Sequence, residues 1–171
     1  LVSLLLASSV FMSVPSSEAS PHKVVKNLER LNGLHERKHN KTLRGALGVN
    51  PARTPWCGYA AGYAVKNAGY TPPSGYPKAS RWRNYGIGIK WSQVKKGDIV
   101  VLGRHVTVYY GPSSRKGYFK GLGGNQSNKV KVSEYRISSI RAVRTHPKKV
   151  RVASKSKAKK NWKSFWHRDK S

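Results

Sequence analysis

The chain has 171 residues, 34 Lys+Arg against 6 Asp+Glu, a formal net charge of +28 and 37% hydrophobic residues, enough apolar material for one modest core; this excludes a purely disordered basic chain. Six carboxylates leave little from which to build a catalytic carboxylate pair or an all-oxygen Ca²⁺ cage, since both need acidic groups converging on one point. The single cysteine, Cys57, excludes an intramolecular disulfide and a zinc site of several thiolates, and neither a metal nor a cofactor is expected.

Leu1 to Val14 is an apolar run about as long as a secretory h-region, and Ser17-Glu18-Ala19 places small residues where a signal peptidase prefers them. Residues 1–19 are therefore expected to be a cleaved leader, truncated at its start, with an uncut anchor as the competing reading. The run is short of the roughly 20 residues that span a bilayer. Export to the periplasm, the envelope or the medium follows. From Pro21 to Leu47 the apolar positions Val24, Val25, Leu28, Leu31 and Leu34 recur at helical spacing, interrupted by Gly33. A loop over Asn50–Pro55 leads into Trp56-Cys57-Gly58-Tyr59-Ala60-Ala61-Gly62, a helix rich in small residues that stops at Asn67-Ala68-Gly69. Residues 71–80 read as loop, and 79–85 as a short helix.

After Gly97 the period changes. Residues 98–102, 105–110, 117–122, 130–132 and 140–143 are short β-favouring runs separated by Gly, Pro, Ser or Asn. Helices followed by a meander of strands give an α+β fold, with the N-terminal helices packed on a small antiparallel sheet. Residues 20–147 are expected to form this domain. Lys148–Ser171, with ten Lys+Arg and one Asp, reads as an appended tail. Trp162, Phe165 and Trp166 there stand at i, i+3 and i+4, the pattern of an interfacial membrane helix, against the alternative of a disordered solubilising tail.

Cys57 falls at the start of the predicted helix, where unpaired N–H groups and the helix dipole favour a thiolate; the same residue also fits as a small buried hydrophobe. His105 lies in a strand pattern whose alternation puts His105, Thr107 and Tyr109 on one face and Val106, Val108 and Tyr110 on the other. It reads either as a general base or as a structural hydrogen-bonder. The glycines of Leu122-Gly123-Gly124-Asn125-Gln126-Ser127-Asn128 fit an ordinary turn, and an Asn carbonyl there can accept the imidazole Nδ1–H and fix the tautomer, the third part of a Cys-His-Asn arrangement.

Thr54-Pro55-Trp56-Cys57, Gly97-Asp98-Ile99-Val100-Val101, His105-Val106 and Leu122-Gly123-Gly124-Asn125-Gln126-Ser127-Asn128, preceded by Gly33-Leu34-His35-Glu36, together resemble the phage and proteobacterial branch of the CHAP/NlpC-type cysteine peptidases. The resemblance covers Leu28 to Arg144. It implies a papain-like fold and a hydrolase cutting peptide or amide bonds of peptidoglycan, as phage lysins do. Carried over by position, Cys57 is the nucleophile, His105 the base and Asn125 the residue orienting the ring; Trp56, Glu36 and Gln126 are candidates for substrate contact. The charge adds an affinity for anionic envelope polymers or acidic membrane surfaces and for nucleic acid nonspecifically, with a non-catalytic basic protein binding nucleic acid or anionic lipid or lipopolysaccharide on the same scaffold as the alternative. A monomer is expected.

Overall fold

The structure, a computed structural model, describes residues 19–147. The expected leader, apart from Ala19, and the tail with Trp162, Phe165 and Trp166 lie outside the described residues. Helix α1 (Pro21–Glu29) starts with proline, whose missing N–H costs nothing in the first turn, and buries Val24, Val25 and Leu28. Helix α2 (Asn40–Leu47) buries Leu43 and Leu47 and stops at Gly48, whose left-handed backbone (φ 68°) returns its N–H to the Arg44 carbonyl. The helical periodicity of residues 21–47 is thus divided between two helices. Between them Gly33 takes φ 85°, and the chain pairs with a distant segment: Gly33 donates to the Val130 carbonyl at 2.8 Å, and Val130 N–H to the Leu34 carbonyl at 3.0 Å.

Helix α3 (Cys57–Asn67) buries Ala60, Ala61, Ala64 and Val65. Its glycines are required by close packing. A Cβ on Gly58 would stand 2.2 Å from the Pro77 carbonyl oxygen, and one on Gly62 would stand 2.3 Å from the Tyr76 ring. The buried Asn27 amide donates to the Ala64 carbonyl at 3.1 Å and ties α1 to α3.

Six strands follow: β1 (Ile87–Gly88), β2 (Ile99–Val101), β3 (Val106–Pro112), β4 (Tyr118–Gly123), β5 (Lys131–Arg136) and β6 (Ala142–Thr145). They form one antiparallel sheet in the order β1-β6-β2-β3-β4-β5. The five expected strands are present, β5 running on to Arg136. The two-residue β1, exposed at both positions, offers no alternation to read. Ile99, Val101, Val106, Val108 and Leu122 face the helices in the main core. Val100, Leu102 and Phe119 on the other face pack with Trp91, Tyr109 and Tyr135. Both faces are covered, so every central strand position is apolar or engaged.

The end of the described chain is fastened by His146, 6% exposed. Its Nε2 meets the Gly97 carbonyl at 2.9 Å, so Nε2 carries the hydrogen and Nδ1 accepts from the Tyr85 hydroxyl at 2.6 Å. Tyr70 stacks on the ring at 4.4 Å. Burial lowers the imidazole pKa from its ordinary 6.5, against the opposing pull of the Gly97 carbonyl and the Asp98 carboxylate. Because the unfolded chain binds that proton more tightly, the contribution of His146 is complete above pH 6.5 and is lost as the pH falls from there through the folded pKa. Urea midpoints measured at pH 7.5 and 5.5 should therefore drop less in His146→Gln than in the parent. His105 titrates in the same direction in both proteins and cancels in the comparison.

Candidate active site

The start of α3, the β2–β3 turn and the β4–β5 loop meet at one end of the sheet. Cys57, the first residue of α3, is 7% exposed. Burial pushes its thiol pKa up, outweighing the backbone N–H groups of Val106, Gly58 and Cys57 itself, which draw it down. This corrects the expectation that the helix start leaves Cys57 as a thiolate: the stabilising N–H groups are present, but loss of water costs the anion more. The Val106 contact also locates the sulfur, one residue from His105.

His105 stands just before β3, where the Leu102 N–H donates to its carbonyl at 2.8 Å and the Val101–Val106 pairing closes the turn. Its Nε2 lies 3.2 Å from Gln126 Oε1. Gln126 is 3% exposed and its orientation is determined by its other partners: Nε2 donates to the Gly121 and Lys131 carbonyls, while Oε1 accepts from the Thr107 hydroxyl at 2.9 Å. An amide oxygen only accepts, so the imidazole carries its hydrogen on Nε2 and keeps its lone pair on Nδ1. Burial lowers the His105 pKa and the Gln126 bond partly raises it again. Cys57 and His105 therefore rest as thiol and neutral imidazole, with the sulfur at the Val106 N–H, the residue that follows His105.

Three expectations drawn from the sequence change at this point in the molecule. The ring is held through Nε2 by Gln126, not through Nδ1 by Asn125. Asn125 instead takes φ 58° and, with Ser127 (φ 53°) and Asn128 (φ 63°), forms a left-handed loop; asparagine tolerates that conformation better than most residues. The alternating backbone of this loop sends the side chain at 126, and not its neighbour, under the sheet end. Gln126 is thus part of the hydrogen-bonded interior, not a surface that substrate touches.

Trp56 is fully buried and its indole N–H donates to Glu36 Oε2 at 3.0 Å. A Cβ on Gly124 would stand 2.4 Å from the Trp56 ring and 2.5 Å from Ala60 Cβ, so the indole packs directly under the glycine turn that carries Gln126. Glu36 N–H in turn donates to the Asn128 carbonyl at 2.9 Å. Trp56 is thus framework for the site and closed to substrate contact, while the half-buried Glu36 holds its indole. Glu36→Ala leaves the buried indole N–H without an acceptor and should cost about 1–3 kcal/mol, with Glu36→Gln recovering most of it, as urea unfolding would measure.

Thr107 is visible from sequence only as a neighbour on the face of His105. Tyr135, whose ring centroid lies 5.6 Å from that of His105, carries no sequence signal, because its approach depends on strand register. Among the described residues no group of three or more His, Cys, Asp or Glu is placed to hold a metal ion, and no helix is long and apolar enough to cross a membrane.

No protein-family model matches the sequence, and no curated protein matches it. Solved structures do. RipB of Mycobacterium tuberculosis, a peptidoglycan hydrolase, superposes with a TM-score of 0.55 at 21% identity over 75% of this chain and 65% of its own. The P60 domain of antigen MAP1204 from M. avium subspecies paratuberculosis gives 0.51 at 19% over 74% of this chain and 93% of its own. RipD of M. tuberculosis, a non-catalytic NlpC/p60 domain protein adapted to peptidoglycan binding, gives 0.50 at 17% over 73% and 95%. The fold is that of an NlpC/p60 domain. The α+β, papain-like architecture expected from the sequence is the one observed, and this chain spans less than two thirds of the RipB structure.

Proposed function

We propose that the protein is a peptidoglycan hydrolase that cleaves amide or peptide bonds of the cell wall by thiol catalysis, acting outside the cytoplasm. The observation that carries this reading is a cysteine at the first turn of α3 whose sulfur meets the Val106 N–H, one residue from a histidine whose tautomer is fixed by a buried amide, on an NlpC/p60 fold. In the proposed cycle His105 Nδ1 takes the Cys57 proton as sulfur attacks the scissile carbonyl carbon. The tetrahedral oxyanion accepts from the Cys57 backbone N–H, a class of contact worth about 3 kcal/mol in acyl-transfer sites. Collapse breaks the C–N bond, the leaving amine takes the proton from His105, and a thioester remains on Cys57. His105 then deprotonates water, which attacks the thioester; the acid leaves and the thiol is regenerated. Gln126 keeps the ring in one orientation through both halves. The leader-like residues 1–19 supply export in this reading, and the basic aromatic tail 148–171 holds the enzyme on anionic envelope polymers.

Incubation of residues 20–171 with purified peptidoglycan tests the proposal, with mass spectrometry of the released fragments identifying the bond. Clearing by the parent and not by Cys57→Ala supports it; clearing by both, or by neither while both are folded, overturns it. The second outcome favours a binding role, for which the net charge of +28 and the non-catalytic RipD are the supporting observations. Binding of that kind falls steeply with salt and is unchanged in Cys57→Ala.

A further inference from the structure

On the outer face of β4 the glycines next to His105 leave room for the Thr107 and Gln126 side chains. Gly121 and Gly123 occupy the positions opposite Tyr109 and Thr107, and a Cβ on Gly121 would stand 2.7 Å from the Thr107 side chain. On the neighbouring strand Tyr135 pairs with Phe119, Ser133 with Gly121 and Lys131 with Gly123. The Tyr135 ring is 5.7 Å from the Phe119 ring and 5.6 Å from the His105 ring, inclined 32° to the imidazole. The Tyr135 ring, rooted at the level of Phe119, thus reaches from Phe119 to His105. Beside burial, which raises the phenol pKa, the Ser133 side chain draws it down and Cys57 pushes it up.

We propose that Tyr135 is a positioning residue of the site, its ring covering the outer face of the His105 imidazole and screening the His105–Gln126 hydrogen bond from water. The proposal rests on the Cys57–His105 reading above. Three restraints then act on one ring: the β2–β3 turn fixes its root, Gln126 fixes its Nε2 edge and Tyr135 fixes its face. A tilted aromatic neighbour is suited to the third task, because it limits ring rotation without offering a competing hydrogen bond at the imidazole edge. Its pKa, raised chiefly by burial, keeps the phenol neutral at working pH, so Tyr135 adds no charge beside the sulfur. Of the titratable groups around His105, Tyr135 from β5 meets its ring and Cys57 from α3 meets the N–H of the next residue, Val106; Arg104, the residue before it, is exposed.

Because Cys57 is the only cysteine, its alkylation by iodoacetamide reports the thiol and its base without any knowledge of the substrate. The rate is measured against pH for the full chain, Tyr135→Phe, Tyr135→Leu, Tyr135→Met and His105→Ala, beside peptidoglycan hydrolysis. Phe keeps the ring and should match the parent. Leu and Met fill the space against Phe119 but remove the ring; with the imidazole rehydrated its pKa rises, so the acid limb of the profile should move to higher pH and kcat should fall by about tenfold to a hundredfold with KM unchanged. Parental profiles and kcat in folded Leu and Met variants overturn the proposal, and so does a Phe variant as impaired as Leu, which would assign the effect to the hydroxyl. A parental profile in His105→Ala overturns the underlying Cys57–His105 pairing instead.

Discussion

Cys57→Ala should lower the rate of peptidoglycan solubilisation by about 10⁴-fold or more and leave the fold in place. The magnitude follows from the chemistry: without sulfur no thioester forms, and what remains is the help that the oxyanion donor and substrate positioning give to an uncatalysed attack by water. The fold survives because the substitution removes one atom from a site bounded by the Val106 N–H and the small residues of α3. Alanine also retains helix propensity at the first turn. Near-UV circular dichroism and the urea midpoint of Cys57→Ala should match the parent within about 1 kcal/mol, which separates lost chemistry from lost structure. Cys57→Ser should be nearly as inactive, since a hydroxyl has a far higher pKa than a thiol and its neutral imidazole partner is a weaker base than usual. Retained activity in Cys57→Ala would remove the thiol mechanism altogether.

How much of this is legible in the sequence differs from element to element for physical reasons. The strands are readable because Ile99–Val101 and Val106–Val108 are buried on both faces, and continuous β-branched runs state that directly. Alternation places His105 and Thr107 on one face, and in the structure both reach Gln126. Trp56 is misread because a tryptophan before a reactive cysteine looks the same in sequence whether it lines a cleft or a core. Only its packing under Gly124 and its bond to Glu36 decide. The Cys57 pKa is hidden because helix position is local, whereas burial depends on a strand about fifty residues away. The choice between Asn125 and Gln126 is closed to sequence reading for a third reason. Three residues at positive φ break the alternation that would have told which of two adjacent amides turns inward.

That choice sets the second large effect expected: Gln126→Leu should reduce kcat by about 10²–10⁴-fold, while Asn125→Gly should leave it within about threefold. Leucine deletes the acceptor that holds the Nε2–H tautomer, so the ring can present its hydrogen to the sulfur and lose its function as base. The same substitution strands the Thr107 hydroxyl and the Gly121 and Lys131 carbonyls, at a cost of about 2–4 kcal/mol in stability. Reduced activity alone would therefore not separate positioning from partial unfolding; the pH profile does. The Gln126 bond raises the His105 pKa against the dominant lowering by burial, so its loss drops that pKa further and the acid limb of kcat/KM should move to lower pH. A population of unfolded protein would instead reduce the amplitude at every pH and leave the limb where it was. Asn125→Gly tests the Asn125 assignment directly, since glycine accepts φ 58° without strain and removes only the side chain amide. If Asn125→Gly loses activity while Gln126→Leu keeps both rate and limb, the ring is oriented by Asn125 during turnover and the loop rearranges on binding substrate.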